Sequence, residues 1–341
     1  MLGCWFTCKW VVTATAGACR VEASAAAPAA TLPVMRPFRF SVMAGSAADA
    51  AAWTALARRA EDLGYDAFMV PDHLGRQLAP IAALATVAAA TTRLRIAPFV
   101  FANDFRHPLI LAGEAATLDL LSGGRLLLGL GAGWRVTDYR QLGLPYDEPR
   151  VRVDRLVESV GIMKRLMAGE VVTHAGSHYH LDRARLAPLP VQRPHPPLII
   201  GGGGPRMLRF AAREADVVGL LPQFDPRGRP IVAQATDAAT RAKADLVREA
   251  AGDRWPSIDV NVLVFYAGLV GGREGPVTSA LNAAKAAAVS LVGTPYVLHG
   301  TPGRVRDILL RRREAWGLNS YTIAAGSMES MAPIVEVLAG R

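Results

Sequence analysis

The strongest constraint on this chain is an alternation, kept up from Pro37 onward, of short apolar runs with longer amphipathic segments. Eight runs read as strands: Phe38 to Met43, Ala67 to Val70, Leu94 to Phe101, Arg125 to Leu130, Pro197 to Ile200, Asp216 to Leu221, Ile258 to Tyr266 and Tyr321 to Ala324. Runs such as Arg125 to Leu130 lack polar alternation, as expected of strands buried on both faces of a parallel sheet. Helical patterns fill the intervals. Ser46-x-x-Asp49 resembles a capping box with Asp for Glu, and the helix behind it carries Trp53, Leu56, Ala60 and Leu63 before stopping at Gly64. Pro80 to Thr91 is a second helix, and Pro108 opens a third with Leu111, Ala115, Leu118 and Leu121 facing inward. Further helices cover Arg150 to Ala168, a short stretch from Pro205, Ile231 to Ala250, Thr301-Pro302 to Gly317, and the C-terminus.

Strand and helix in strict succession wind by right-handed crossovers, and eight such units close into a (β/α)8 barrel. The expected fold class is therefore α/β, a barrel with insertions spanning residues 37–341. A doubly wound open sheet is the alternative, but no shift in composition marks the second domain it would bring.

Residues 1–36 break the pattern. They are Trp-rich, then rich in Ala, Thr and Pro, and they hold the only cysteines, Cys4, Cys8 and Cys19. The segment reads as a disordered extension, or as an upstream start ahead of Met35; its apolar stretch is too short and broken for a good signal segment. Elsewhere the longest apolar run, Ile81 to Ala90, falls short of the ~18 residues of a membrane span, and a cytoplasmic protein is expected. The net charge of +9 comes with only four lysines among 38 basic residues. Without a basic run interleaved with aromatics, this excess fits an anionic small ligand better than nucleic acid.

In such a barrel, chemistry gathers where strands end. The second strand ends in Asp72-His73, a carboxylate and an imidazole able to bind, orient or exchange protons. The third runs through Phe99, Val100, Phe101 and Asn103, enough aromatic surface to wall a flat ligand. The fourth ends Gly131-Ala132-Gly133-Trp134, where missing side chains admit a ring close to the backbone. The fifth ends in Gly201, Gly202, Gly203 and Gly204 before a Pro205 helix, an arrangement that offers bare N–H groups to a phosphate. His174, His178 and His180 lie on a segment alternating about Ala175-Gly176, which reads as a surface hairpin, so no metal site is expected.

These stretches resemble the luciferase-like monooxygenase superfamily, and in particular its coenzyme F420-dependent oxidoreductases. The resemblance rests on Arg106-His107-Pro108, on Ala115 to Arg125, on Leu128 to Trp134, on Thr173 to Tyr179, on Pro188 to Pro194 and on the glycine run. It implies a barrel in which Asp72 and His73 face the deazaflavin and act in catalysis. Phe99–Val100 would be a cis peptide behind the ring, and Asn103, Ala132 and Gly133 would line its edge and ribityl chain. Gly201 to Gly204 would take the phosphate, while Phe101 and Trp134 shape the substrate pocket. Trp134 stands where some relatives carry an acid, which leaves proton transfer to His73, to a loop residue or to the substrate. The implied activity is hydride transfer between F420 and a small organic substrate, in a homodimer. An FMN-dependent monooxygenase and a non-catalytic flavin-binding barrel are the alternatives.

Overall fold

A computed structural model describes residues 35–225, 229–269 and 291–341. The elements follow the expected alternation. The first half comprises β1 (Arg39–Met43), α1 (Ala50–Asp62), β2 (Ala67–Val70), α2 (Pro80–Ala90), β3 (Arg95–Pro98), β4 (Phe101–Ala102), α3 (Pro108–Leu121), β5 (Leu128–Gly131), α4 (Val136–Leu142) and α5 (Pro149–Met167). A hairpin of β6 (Val172–Ala175) and β7 (His180–Ala184) precedes β8 (Leu198–Gly202), α6 (Pro205–Glu214), β9 (Val217–Leu220) and α7 (Asp237–Ala251). Then come β10 (Asp259–Val264), β11 (Tyr266–Leu269), β12 (Val297–Gly300), α8 (Pro302–Trp316), β13 (Leu318–Ala324) and α9 (Met328–Leu338).

One parallel sheet runs in the order β3-β2-β1-β13-β10-β9-β8-β5-β4. Its two ends are halves of a single strand, interrupted at the cis peptide Phe99–Val100. β3 pairs with β2 and also reaches Leu126 through Ile96, while β4 pairs with β5. The sheet thus closes into a barrel with eight strand positions among the described residues. The one continuous strand expected from Leu94 to Phe101 is corrected to two pieces, because the backbone turns at residues 99–100.

Alternation along the strands separates two apolar layers. Phe40, Val42, Phe68 and Leu130 pack outward against the helices, whereas Ala67, Met69, Ala97, Ile199 and Leu263 fill the inside. Midway up the barrel, Asn261 Nδ2 donates to Ser320 Oγ at 2.9 Å and to Thr322 Oγ1 at 3.0 Å. The lower end is bridged by ions: Arg39 contacts Asp66 at 3.1 Å and Asp259 at 2.8 Å, and Arg95 approaches Asp66 at 3.8 Å. Open space remains at the end where strands finish.

Several sequence expectations change in detail. Asp49 is itself the N-cap of α1, accepting from Ala52 N at 2.8 Å, so the box from Ser46 does not form. Leu121 is 66% exposed; the inward stripe of α3 ends at Leu118. Thr236 caps α7, which therefore starts at Asp237 rather than near Ile231. The strand expected over Ile258 to Tyr266 divides into β10 and β11. Of the expected extension, residues 1–34 lie outside the described residues, while Arg36 is tied to the barrel by bonds to Gly317 O at 2.7 Å and Trp255 O at 3.3 Å.

The histidine segment is the antiparallel hairpin β6–β7. Glu158 of α5 pins it, accepting from His174 Nε2 at 2.9 Å, His178 N at 3.0 Å and Tyr179 N at 2.9 Å. Burial opposes ionisation of Glu158, but His174 and the two amides outweigh it and hold the carboxyl below its usual range. A depressed carboxyl stabilises the fold above its unfolded pKa and loses that contribution as pH falls through its folded one. Acidification below about pH 4.5 should therefore release the hairpin before the barrel. Hydrogen exchange at His178 and Tyr179 is expected to accelerate there, and exchange unchanged relative to β1 would count against this anchor.

Candidate active site

The strand ends converge on a cavity of about 880 Å³. β2 supplies Asp72 and His73, the broken third strand Phe99 and Val100, β5 the turn from Gly131 to Trp134, and β8 the turn from Gly201 to Gly204. Leu263 and Phe265 enter from the opposite side.

His73 holds the most reactive geometry. Its Nδ1 lies 2.7 Å from Asp138 Oδ2, and the Asp138 side chain is only 2% exposed against 27% for His73. A carboxylate accepts, so Nδ1 donates in this bond, and in the neutral form of the ring Nε2 carries the lone pair. The other Asp138 oxygen, buried and without a hydrogen bond, has Arg135 at 3.6 Å. The Trp134 indole meets the His73 ring edge-on at 5.4 Å and stacks on Phe224 at 4.4 Å. An aromatic wall thus stands beside the imidazole.

Asp72 lines the same cavity, yet its oxygens are taken up by the scaffold. Arg106 grips them in a fork at 2.6 and 3.2 Å, and Ala102 N donates to Oδ2 at 3.0 Å. The carboxylate thereby ties β2 to the far side of the broken strand. With the Asp72 side chain 6% exposed, Arg106→Met should strand a buried charge and cost about 3–5 kcal/mol. Urea denaturation would measure this, with Asp72→Asn added to Arg106→Met expected to recover part of the loss. A loss below about 1 kcal/mol would mean that the pair acts as a solvated surface bridge.

The glycines divide by physical reason. A Cβ on Gly129 would strike the Pro98 carbonyl, and one on Gly131 would come 2.6 Å from Val100 Cγ2, so both admit the turned third strand. Gly133 has φ +72° and lies against the Tyr139 hydroxyl. That turn is gripped from below: Arg152 donates to the Gly133 carbonyl, and the Tyr139 hydroxyl contacts Ala132 O at 3.3 Å and Asp104 at 3.0 Å. At the β8 end, Gly202 is required by the Met207 side chain and Gly203 by the Leu221 carbonyl, 2.5 Å from a Cβ placed there. Gly204 meets only Gln223 Nε2, at 3.9 Å. It is the N-cap of α6 and has no capping side chain, so the first-turn N–H groups of that helix remain available to an anion.

Of the residues singled out in the sequence, His73, Asp72, Phe99, Val100, Ala132, Gly133, Trp134 and the four glycines of the β8 turn do meet at this cavity. Phe101 and Asn103 do not line it. Phe101 is fully buried on the outward face of β4 under the Arg106 guanidinium, 4.8 Å away. Asn103, also fully buried, donates to the Tyr179 hydroxyl at 3.0 Å. Phe105 lines the cavity from that segment instead. Sequence reading missed Asp138 and Phe224. The place of Asp138 in the first turn of α4, four residues after Trp134, was the available signal for the first. Nothing local marks Phe224.

Residues 31–267 match the family described as luciferase-like monooxygenase. The chain belongs to that family. The chain is 36% identical over 169 residues to an F420-dependent glucose-6-phosphate dehydrogenase of Nakamurella multipartita, covering 47% of this chain and 49% of that protein. It is 31% identical over 192 residues to a 5,10-methylenetetrahydromethanopterin reductase of Archaeoglobus fulgidus, covering 56% and 54%. The chain spans about half the length of the curated relatives it matches. An F420-dependent secondary alcohol dehydrogenase, solved with an F420–acetone adduct, superposes at a TM-score of 0.70 with 18% identity, covering 89% of this chain and 99% of that one. A monooxygenase from Streptomyces bottropensis gives 0.68 with 24% identity, covering 86% and 98%. These superpositions establish the luciferase-like barrel fold. Among the described residues, no helix is long and apolar enough to cross a membrane.

Proposed function

We propose that this luciferase-like protein is an F420-dependent oxidoreductase acting on a small organic alcohol or carbonyl compound. The observation that carries the reading is that one cavity holds both the His73–Asp138 pair and, at the β8 end, a helix N-terminus with an uncapped glycine turn. Such a cavity suits a flat ring with a phosphate-bearing tail. Support for the ring's identity comes from the relative named as an F420-dependent dehydrogenase. A cytoplasmic homodimer belongs to the same reading and rests on the resemblance.

The residues present fit the group. Gly201 to Gly204 and the first turn of α6 would hold its phosphate, Ala132 and Gly133 its chain, and Phe99 with Val100 would back the ring. When bound, deazaflavin supplies a hydride donor or acceptor at its C5 carbon. The chain supplies everything else. His73 Nε2 accepts the proton of a substrate hydroxyl as that oxygen becomes a carbonyl, or returns it in the opposite direction. Asp138 fixes the tautomer that makes Nε2 the acceptor and stabilises the imidazolium once formed. Trp134 and Phe224 would form one wall beside the reacting oxygen. Asp72 and Arg106 keep the third strand in place beneath the ring.

The test is a cofactor screen by fluorescence quenching, followed by assays of F420 reduction with alcohols and of reduced-F420 oxidation with enones, imines and ketones. Saturable F420 binding with turnover is expected. Tight binding of FMN with none of F420 would overturn the assignment in favour of a monooxygenase on the same barrel.

A further inference from the structure

We propose that Lys243 is a positioning residue for the β8 turn: its buried ammonium lies behind Gly203 and makes the turn selective for a ligand bearing a negatively charged phosphate. The inference rests on the reading of that turn as a phosphate site. Lys243 projects from α7 and is 7% exposed. Its Nζ donates to Leu221 O at 2.9 Å and to Gln234 O at 2.8 Å. Those carbonyls stand at the two ends of the loop that carries Phe224 over the cavity. The Leu221 carbonyl is also the group that crowds Gly203. One carbonyl therefore separates the ammonium from the glycine turn, and the same lysine pins both ends of the aromatic loop.

Among the described residues, no carboxylate lies within ion-pair distance of Nζ. Most charged groups on the surrounding elements are engaged with one another. On the loop Asp225 pairs with Arg229, and at the two ends of α6 Arg206 pairs with Asp154 and Glu214 with Lys164. On α7 Arg241 and Arg248 share Asp245, and Arg312 of α8 takes Asp237. Arg209 and Arg213 of α6 are exposed. Burial lowers the Lys243 pKa to about 8, and an anion bound at the turn would favour the charged form. A neutral amine keeps two N–H donors and can still serve both carbonyls. Deprotonation thus removes the charge and spares the clamp, which separates the electrostatic role from a merely structural one.

The experiment compares F420 with its phosphate-free deazaflavin riboside on the full chain at about pH 7 and about pH 9.5, either side of the Lys243 midpoint of about 8. The ring is common to both ligands, so its own titration cancels in the ratio of affinities. In the wild type, the preference for F420 over the riboside is expected to fall about tenfold across this interval. Lys243→Met is expected to show the reduced preference already at the lower pH, with no further change on raising it. A preference that stays flat with pH in the wild type overturns the proposal, even where Lys243→Met does not fold. So does a folded Lys243→Met that retains the wild-type preference. If the wild type binds neither deazaflavin, the F420 reading has failed. FMN and riboflavin then make the same comparison at the same turn, and a pH-independent ratio for that pair overturns the role of Lys243.

Discussion

His73→Asn is expected to lower kcat roughly 10²–10⁴-fold while leaving cofactor affinity within about twofold. Of the two titratable residues at the end of β2, the imidazole is the one whose bonding leaves a lone pair for a substrate oxygen: Nδ1 is committed to Asp138, and Asp72 is committed to Arg106 and Ala102. Asparagine keeps polarity and approximate size but cannot cycle a proton near neutrality. The loss should appear in kcat and kcat/KM together, as for an interaction made in the transition state. Asp138→Asn should act through the same nitrogen. An amide can donate to Nδ1, which would move the ring proton to Nε2 and remove the acceptor, and a loss of about 10²-fold or more is expected by analogy with triad logic. Steady-state kinetics with titrated cofactor would check both. If His73→Asn raised KM and left kcat intact, the imidazole would be a binding group and proton transfer would lie elsewhere.

The second large effect is expected from Gly204→Asp. Among the β8 glycines this position has room for a side chain, with Gln223 Nε2 3.9 Å from a Cβ, and its φ of −88° suits any residue. Aspartate is also a favoured N-cap, worth a few tenths of a kcal/mol over glycine. The fold should therefore keep or slightly gain stability. A carboxylate at that point faces any phosphate on the first turn of α6. Repulsion of about 2 kcal/mol, half the unscreened contact value at an effective dielectric near 20, corresponds to a roughly 30-fold loss of affinity for a phosphorylated cofactor. Thermal unfolding and ligand titration on the same sample separate the two effects. Unchanged stability with unchanged affinity would remove the phosphate from this turn. Gly203→Asp could not make that distinction, because a Cβ there collides with the Leu221 carbonyl whatever the ligand.

The barrel was legible because its strands are short continuous apolar runs and its helices carry periodic stripes between Pro or Asp starts and Gly stops. The break in the third strand was not, since Phe99, Val100 and Phe101 read as uninterrupted β-prone sequence; only the family resemblance pointed to the cis peptide. The same break explains Phe101. Alternation resumes after the turn with a new phase, so Phe101 faces the outer core and Phe99 the cavity. His73 was found because it follows a strand directly. Its partner Asp138 stands on α4, 65 residues away, and pairing across that distance exists only once the barrel has closed. Asp72 shows the converse: the residue type and position were legible, but its capture by Arg106 depends on a side chain arriving from beyond the broken strand.

The ionic floor formed by Arg39, Asp66, Arg95 and Asp259 has a mechanical corollary. Arg39 and Asp259 stand 220 residues apart, so a single guanidinium fastens the opening stave of the barrel to one from the last third of the chain, and its removal is expected to loosen the rim away from the cavity first.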